Sequence, residues 1–252
     1  MNLQKIYGRR AVLEALRSGG SRVRKLILAK GGHGSILQEL RDEAQARGLP
    51  IEWLERHRFD KLAGDGVHQG VMAILQDRRY TDLESLVASS RRHPARALIV
   101  LADEIEDPRN LGAIARCAEG AGADGLVITT RRSADITPAA EKASGGAVEH
   151  LPIARVTNLA AGLQTLKTAG LWVAGLDAAQ GQPVWEADLK RPLAVVVGAE
   201  GKGLRRLTRE LCDLHLRVPL LGKVNSLNAA VATGIVLFEI VRQRRQSSGT
   251  VF

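Results

Sequence analysis

The chain has 252 residues, 45% of them hydrophobic, the composition of an ordinary globular protein of one or two domains; disorder and collagen-like repeats are excluded. Lys and Arg number 36 against 27 Asp and Glu, giving a net charge of +9 and an isoelectric point near 10.1, so nucleic acid leads as partner class. The two cysteines, Cys117 and Cys212, form no CxxC pair, which excludes a disulfide framework or a cysteine-rich zinc site, and no metal is expected.

Residues 1–10 contain no apolar targeting segment, and no run approaches about 18 apolar residues, so the expectation is a cytoplasmic protein without membrane partners. Over residues 7–18, Val12, Leu13 and Leu16 recur at helical spacing, and Gly19-Gly20 would close the helix as a C-cap. A β-type run follows at 25–29, then the loop Gly31-Gly32-His33-Gly34. Residues 35–47 repeat Ile36, Leu37, Leu40 and Ala44 as a helix does, and Gly48-Leu49-Pro50 stops them. With short strands at 51–54 and 71–75, residues 1–76 read as a small α/β domain.

Residues 77–95 read as a linker: the charged Asp77-Arg78-Arg79, a short helix with a Thr81 and Glu84 capping box, and the polar stretch Ser89-Ser90-Arg91-Arg92-His93-Pro94. Up to residue 96 there are 18 Lys and Arg against 11 Asp and Glu, whereas the remainder holds 18 against 16, so the first domain is the expected capture surface. Arg9, Arg10, Arg22, Arg24 and Lys25 are its candidate RNA contacts. Aromatics make up only 3%, too few for base-stacking platforms, so recognition of shape and phosphate is expected.

Residues 96–252 read as a second α/β domain. Apolar runs at 97–102, 125–129, 171–176 and 193–197 are separated by helical segments, the pattern of a mostly parallel sheet covered on both faces. A long helix is expected from 226 to 246. Its stripe Leu227, Val231, Gly234, Phe238 and Val241 reads as core or subunit interface.

Three segments of this domain could carry chemistry. Asp107-Pro108-Arg109-Asn110-Leu111-Gly112 follows the first strand and has one glycine where a dinucleotide fold has G-x-G-x-x-G; no P-loop motif occurs either. In its helix Asn110 and Arg116 lie six residues apart. Val197-Gly198-Ala199-Glu200-Gly201-Lys202-Gly203-Leu204 comes late, directly after a strand, with three glycines that let backbone approach a ligand and a carboxylate at Glu200. Val218-Pro219-Leu220-Leu221-Gly222-Lys223-Val224-Asn225-Ser226-Leu227-Asn228 runs through a glycine turn into the last helix, offering Ser226 as N-cap and a second amide at Asn228.

Taken together, Asn110 to Arg116, Val197 to Leu204, and Pro219 followed by Ser226-Leu227-Asn228-Ala229-Ala230 resemble the three ordered motifs of the SpoU (TrmH-type) branch of the SPOUT RNA ribose 2′-O-methyltransferases. The N-terminal domain is similar to that family's L30e-like substrate-binding domain, and Gly8-Arg9-Arg10-Ala11-Val12 and His68-Gln69-Gly70-Val71 resemble the subgroup that methylates a 23S rRNA guanosine. Asn225 and Ala229-Ala230 stand where relatives often carry a serine and a Val-Ser pair.

The resemblance implies a trefoil knot in the C-terminal domain, a homodimer paired through knot-region helices, and 23S rRNA or an assembling large ribosomal subunit as partner. It implies S-adenosylmethionine as methyl donor, held by backbone around Leu176, Gly198, Gly203, Val218 and Leu227. Arg116 would touch the reacting hydroxyl, oriented with Asn110, Glu200, Ser226 and Asn228. A free arginine is a poor base, its pKa exceeding about 12, so two accounts stay open: a neighbouring phosphate polarises Arg116 into a transient proton acceptor, or Arg116 stabilises the forming alkoxide. A tRNA substrate and a non-catalytic RNA-binding or ribosome-assembly protein are the competing readings.

Overall fold

The computed structural model describes residues 4–17, 22–64, 68–76, 80–201, 203–224 and 226–247. Two compact units divide the chain, Met1–Arg79 and Tyr80–Phe252.

The first unit runs β1 (Gln4–Tyr7), α1 (Arg9–Arg17), β2 (Val23–Ala29), α2 (Ser35–Ala46), β3 (Ile51–Leu54), α3 (Arg56–Ala63) and β4 (Val71–Leu75). Its sheet has the order β1-β4-β2-β3, with only β2 and β3 parallel. One face is closed by the apolar stripes of α1 and α2, where Val12, Leu16, Leu40 and Ala44 are fully buried. The other face is closed by α3 through Phe59 against Ile27, Ala29 and Met72. Phe59 is the one buried residue of α3, which leaves that helix without an apolar period and made it illegible in the sequence. The Gly19-Gly20 cap and the charged Asp77-Arg78-Arg79 lie outside the described residues.

The second unit runs α4 (Leu83–Ser90), β5 (Leu98–Asp103), α5 (Pro108–Gly120), β6 (Gly125–Thr129), α6 (Pro138–Ser144), α7 (Ala147–His150), β7 (Ile153–Val156), α8 (Leu159–Thr168), β8 (Trp172–Leu176), β9 (Gln182–Pro183), β10 (Leu193–Gly198), α9 (Arg206–Leu211), β11 (Leu214–Arg217) and α10 (Ala229–Ser247). Its seven strands take the order β7-β6-β5-β10-β8-β11-β9, and every pair is parallel. As expected for a doubly covered sheet, alternate residues of β5 enter two cores. Leu98, Val100 and Ala102 face α5 and α10, while Ile99 and Leu101 face α4 and α8.

Most of the stretch expected to link the domains is built into this unit. The Thr81 amide donates to the Ile153 carbonyl at 2.9 Å, extending the sheet edge, and Leu83, Leu86 and Val87 of α4 are buried against β5 and α8. Because Thr81 is held by β7, the cap of α4 moves one residue on: Asp82, not Thr81, accepts from the Ser85 amide at 2.6 Å. The last helix begins at Ala229, three residues later than expected, with Asn228 just before it accepting from the amides of Ala230 and Val231 as its cap. Among the described residues no helix is long and apolar enough to cross a membrane.

Candidate functional site

The C-terminal ends of β10, β8 and β5 lie side by side, as is usual for ligand crevices of parallel sheets, and each of the three motifs leaves from such an end or folds back onto it. After β10 the loop closes on itself: the Gly203 amide donates to the Ala199 carbonyl at 2.8 Å, with Gly201 and Gly203 at φ 75° and 65°. A β-carbon on Gly198 would lie 2.3 Å from the carbonyl carbon of Gly203. The loop's own backbone therefore already requires a glycine at this position.

A cavity of about 330 Å³ opens beside this loop. Its walls include Leu176, Gly198, Gly203, Val218 and Leu227, all five residues expected around a cofactor, together with Glu200 and Ser226. Leu220, Ala229 and Ala232 add apolar surface, and Asp177, Arg209 and Arg217 add charge. Lys202 and Asn225 lie outside the described residues.

The three motifs meet at Asn228. Its Nδ2 donates to Asn110 Oδ1 at 2.9 Å and to Glu200 Oε1 at 2.5 Å, while Glu200 Oε1 also accepts from the Ala229 amide at 3.3 Å. Asn228 Oδ1 accepts from the amides of Ala230 and Val231, at 3.0 and 3.2 Å. Asn228, not Ser226, is thus the N-cap of α10, and Ser226 is left exposed on the cavity wall. Both amide atoms have work: one end caps the helix, the other ties it to the glycine loop and to α5.

Helix α5 starts from Pro108 and the N-cap Asp107, whose carboxyl is held below its ordinary range by the Arg109 amide and guanidinium. It is gripped on two sides by glycines. A β-carbon on Gly112 would lie 2.2 Å from the Ala140 carbonyl oxygen of α6, and one on Gly234 of α10 would lie 3.1 Å from Cys117 Sγ. Arg116 projects from the exposed side of α5, outside the cavity, with its guanidinium against Gly145.

Two buried carboxylates were missed by sequence reading. Asp103, at the end of β5, accepts from Arg205 Nε at 2.7 Å and from its amide at 3.3 Å; Asp177, beyond β8, accepts from the amides of Ala179 and Gln180 and pairs with Arg209 Nε at 2.6 Å. Arg205 is the N-cap residue of α9 and Arg209 sits in its last turn, so both ends of α9 are pinned to strand tips. An aspartate at the end of an apolar run is the one signal that could have flagged them. Among the described residues no group of His, Cys, Asp or Glu could hold a metal ion.

In the first unit the five basic candidates separate. Arg10 and Arg24 are exposed, Arg24 beside the Gln76 amide oxygen, and Lys25 pairs with Glu52 at 2.5 Å. Arg9 is turned inward: Nη1 donates to the His33 carbonyl at 3.1 Å and Nε to the Gln69 carbonyl at 3.4 Å, joining two loops. Arg22 is 8% exposed, so it is not on the capture surface expected of it.

The sequence profile of the SpoU rRNA Methylase family matches residues 97–238, and that of the RNA 2′-O ribose methyltransferase substrate-binding domain matches residues 5–81. The chain belongs to the SpoU rRNA methylase family. It is 41% identical over 246 residues to the 23S rRNA (guanosine-2′-O-)-methyltransferase RlmB of Pseudomonas putida, covering 96% of this chain and 98% of that one. It is 40% identical over 239 residues, 95% of each chain, to YacO of Bacillus subtilis, named within the TrmH family of tRNA/rRNA methyltransferases. The crystal structure of the SpoU methyltransferase AviRb from Streptomyces viridochromogenes in complex with AdoMet superposes with a TM-score of 0.65 at 26% identity, over 97% of this chain and 91% of that one. The SpoU methylase match spans every cavity residue named above as well as Asn110, Arg116 and Asn228, and the substrate-binding match spans the basic candidates of the first unit.

Proposed function

We propose that this chain methylates the ribose 2′-oxygen of a guanosine in 23S rRNA with S-adenosylmethionine as donor. The observation that carries the reading is the Asn228 junction, where residues from all three motifs hydrogen-bond and one of them, Glu200, lines the cavity. The 41% identity to an enzyme named for this reaction supports the substrate, and the AdoMet complex of AviRb supports the donor.

The cavity suits that donor. Its volume lies at the lower end of the range for small-molecule sites, and it combines apolar side chains of Leu176, Val218 and Leu227 with the exposed backbone of the glycine loop. When bound, the sulfonium supplies an electrophilic methyl group. The protein's part is to hold the ribose in line and to support the oxygen as it becomes nucleophilic. Arg116 supplies positive charge to that oxygen, while Asn110, Glu200, Ser226 and Asn228 orient the ribose and donor by hydrogen bonds.

Arg116 does not line the cavity of its own chain, which fits a homodimer in which it serves the partner's site. The face of α10 that carries Val231 and Phe238, 51% and 52% exposed, is the pairing surface. With this reading go the trefoil knot and the L30e-like character of the first unit, whose Arg10, Arg24 and Lys25 meet the phosphates of the rRNA or an assembling large subunit in the cytoplasm.

The test is transfer of labelled methyl from S-adenosylmethionine to unmodified 23S rRNA, 16S rRNA and tRNA side by side, with products mapped by resistance to alkaline cleavage. Label at one alkali-resistant guanosine of 23S rRNA is expected. Label in tRNA alone, the substrate class that YacO's name also covers, overturns the substrate and keeps the enzyme; a protein that binds no donor overturns both.

A further inference from the structure

The end of the second unit's sheet that lies opposite the cavity is a rim rich in cations. Strands β5, β10 and β8 start there side by side, with Leu193 in register with Leu98 on one side and Trp172 on the other. Arg244 of α10 joins their entries: Nη1 donates to the Arg96 carbonyl at 2.6 Å, and Nη2 to the carbonyls of Ala97 and Arg191 at 3.2 and 2.7 Å. The Arg191 guanidinium, paired with Asp188 at 2.9 Å, sits 4.2 Å from the centre of a Trp172 ring, within reach of a cation–π contact. Trp172 is nonetheless 43% exposed.

Three more cations stand at this end. Arg91 follows α4 and lines a groove together with Thr168 and Ala169 at the end of α8, three residues before Trp172. Arg92 comes next to it, and Lys190 precedes Arg191. All three are exposed, and among the described residues no hydrogen bond or ion pair engages their side chains. The neighbouring acids are taken: Asp188 holds Arg191, and the Asp124 carboxylate accepts from the Leu98 amide at 2.8 Å. Sequence order put Arg91 and Arg92 in a linker, but α4, packed against β5 and α8, carries them onto the second unit.

We propose that this rim is a second RNA-binding surface, in which Arg91, Arg92 and Lys190 meet phosphates of the rRNA strand and Trp172 stacks on one of its bases. This rests on the reading of rRNA as substrate. The rim does not touch the reacting ribose: β10 spans Leu193–Gly198, so Gly198 in the cavity wall lies roughly 17 Å along the strand from it. Its contacts are therefore the same before and during methyl transfer, and they act on affinity and not on turnover. An acidic protein would also meet the cations, but an exposed indole flanked by a guanidinium matches base and phosphate together.

The experiment uses the full-length protein carrying Arg91→Ala, Arg92→Ala and Lys190→Ala together. These side chains have no partner to lose among the described residues, so the thermal midpoint should stay that of the parent. Filter binding to 23S rRNA over a salt series should show weaker binding and a slope of log affinity against log salt reduced by about 2, at about 0.7–0.9 for each phosphate contact. At saturating RNA, kcat should stay within about threefold, as should S-adenosylmethionine affinity. In a Trp53→Phe, Trp185→Phe protein, where Trp172 is the one remaining tryptophan, saturating RNA should quench its emission. A folded triple variant with the parent's affinity and slope, or a Trp172 emission that RNA leaves unchanged, overturns the proposal. So does a variant that keeps the slope and loses kcat. Should the triple variant not fold, the Trp172 emission decides alone. A protein that passes both binding tests yet transfers no methyl to 23S rRNA instead overturns the reaction proposed above, so the two failures are distinguishable.

Discussion

Asn228 and Asn110 stand 118 residues apart in the chain and are joined by a 2.9 Å hydrogen bond that ties the start of α10 to the start of α5. The same side chain caps α10, so its two functions can be separated by substitution. Asn228→Ser retains a capping oxygen and should unfold within about 0.5 kcal/mol of the parent, whereas Asn228→Ala should cost about 1 kcal/mol. Both lose the amide that reaches Asn110 and Glu200, and both should transfer methyl slowly. Thermal unfolding beside a methyl-transfer assay checks this; a fully active Asn228→Ser protein would show the junction to be dispensable.

Gly198 and Gly201 lie in the same loop but for different reasons. Gly198→Ala drives a β-carbon into the Gly203 backbone, which cannot yield as a flexible side chain would, and should destabilise by about 1–3 kcal/mol and weaken donor binding. Gly201→Ala meets open space and carries only the strain of its φ of 75°, a cost of about 1 kcal/mol. Donor titration calorimetry on the two variants should rank them in that order.

For the first unit, Arg10→Ala should weaken RNA binding and reduce the slope of log affinity against log salt by about 0.7–0.9 if one phosphate contact is lost. Arg9→Ala should instead lower the melting temperature, because its guanidinium joins the loops at His33 and Gln69. A filter-binding salt series together with a thermal melt separates the two; an unaltered melt for Arg9→Ala would contradict the inward role.

Burial pushes the Cys212 thiol from its ordinary 9.0 up to about 12, with Asp213 adding to the shift, and burial likewise raises Cys117. In the unfolded chain Cys212 loses its proton near 9, while the folded protein keeps it to about 12. The unfolded state thus binds fewer protons in that window, and Cys212 contributes stability below it that falls as pH rises from 9 to 12. Chemical denaturation from pH 8 to 11 should show the decline, and Cys212→Ala should flatten it. At pH 8 neither thiol should react quickly with a thiol-specific reagent until the chain is unfolded.

What the sequence disclosed and what it withheld follow from distance along the chain. The glycine loop and the start of α10 are contiguous, so their residue types could be read together, and the apolar runs of β5, β6, β8 and β10 were legible because both of their faces are buried. Arg205 meets Asp103 across 102 residues, and no local pattern announces such a pair. Ser226 and Asn228 were both sound N-cap residues by propensity; Glu200 and Asn110, from other parts of the chain, decide between them by holding the amide end of Asn228. Thr81 lost its expected cap for the same kind of reason, its backbone having been taken by β7.

The pairs Asp103 with Arg205 and Asp177 with Arg209 have a consequence for handling the protein. Their carboxylates are almost wholly shielded from water, with side-chain exposures of 0% and 4%, so dissolved ions screen them weakly. Contacts between surface lysines or arginines and a polyanion behave oppositely, weakening steeply as salt displaces them. A high-salt wash should therefore strip nucleic acid from the preparation while the wall of the cavity stays braced, so that occupancy of the small-molecule pocket can be measured on material free of carried-over RNA.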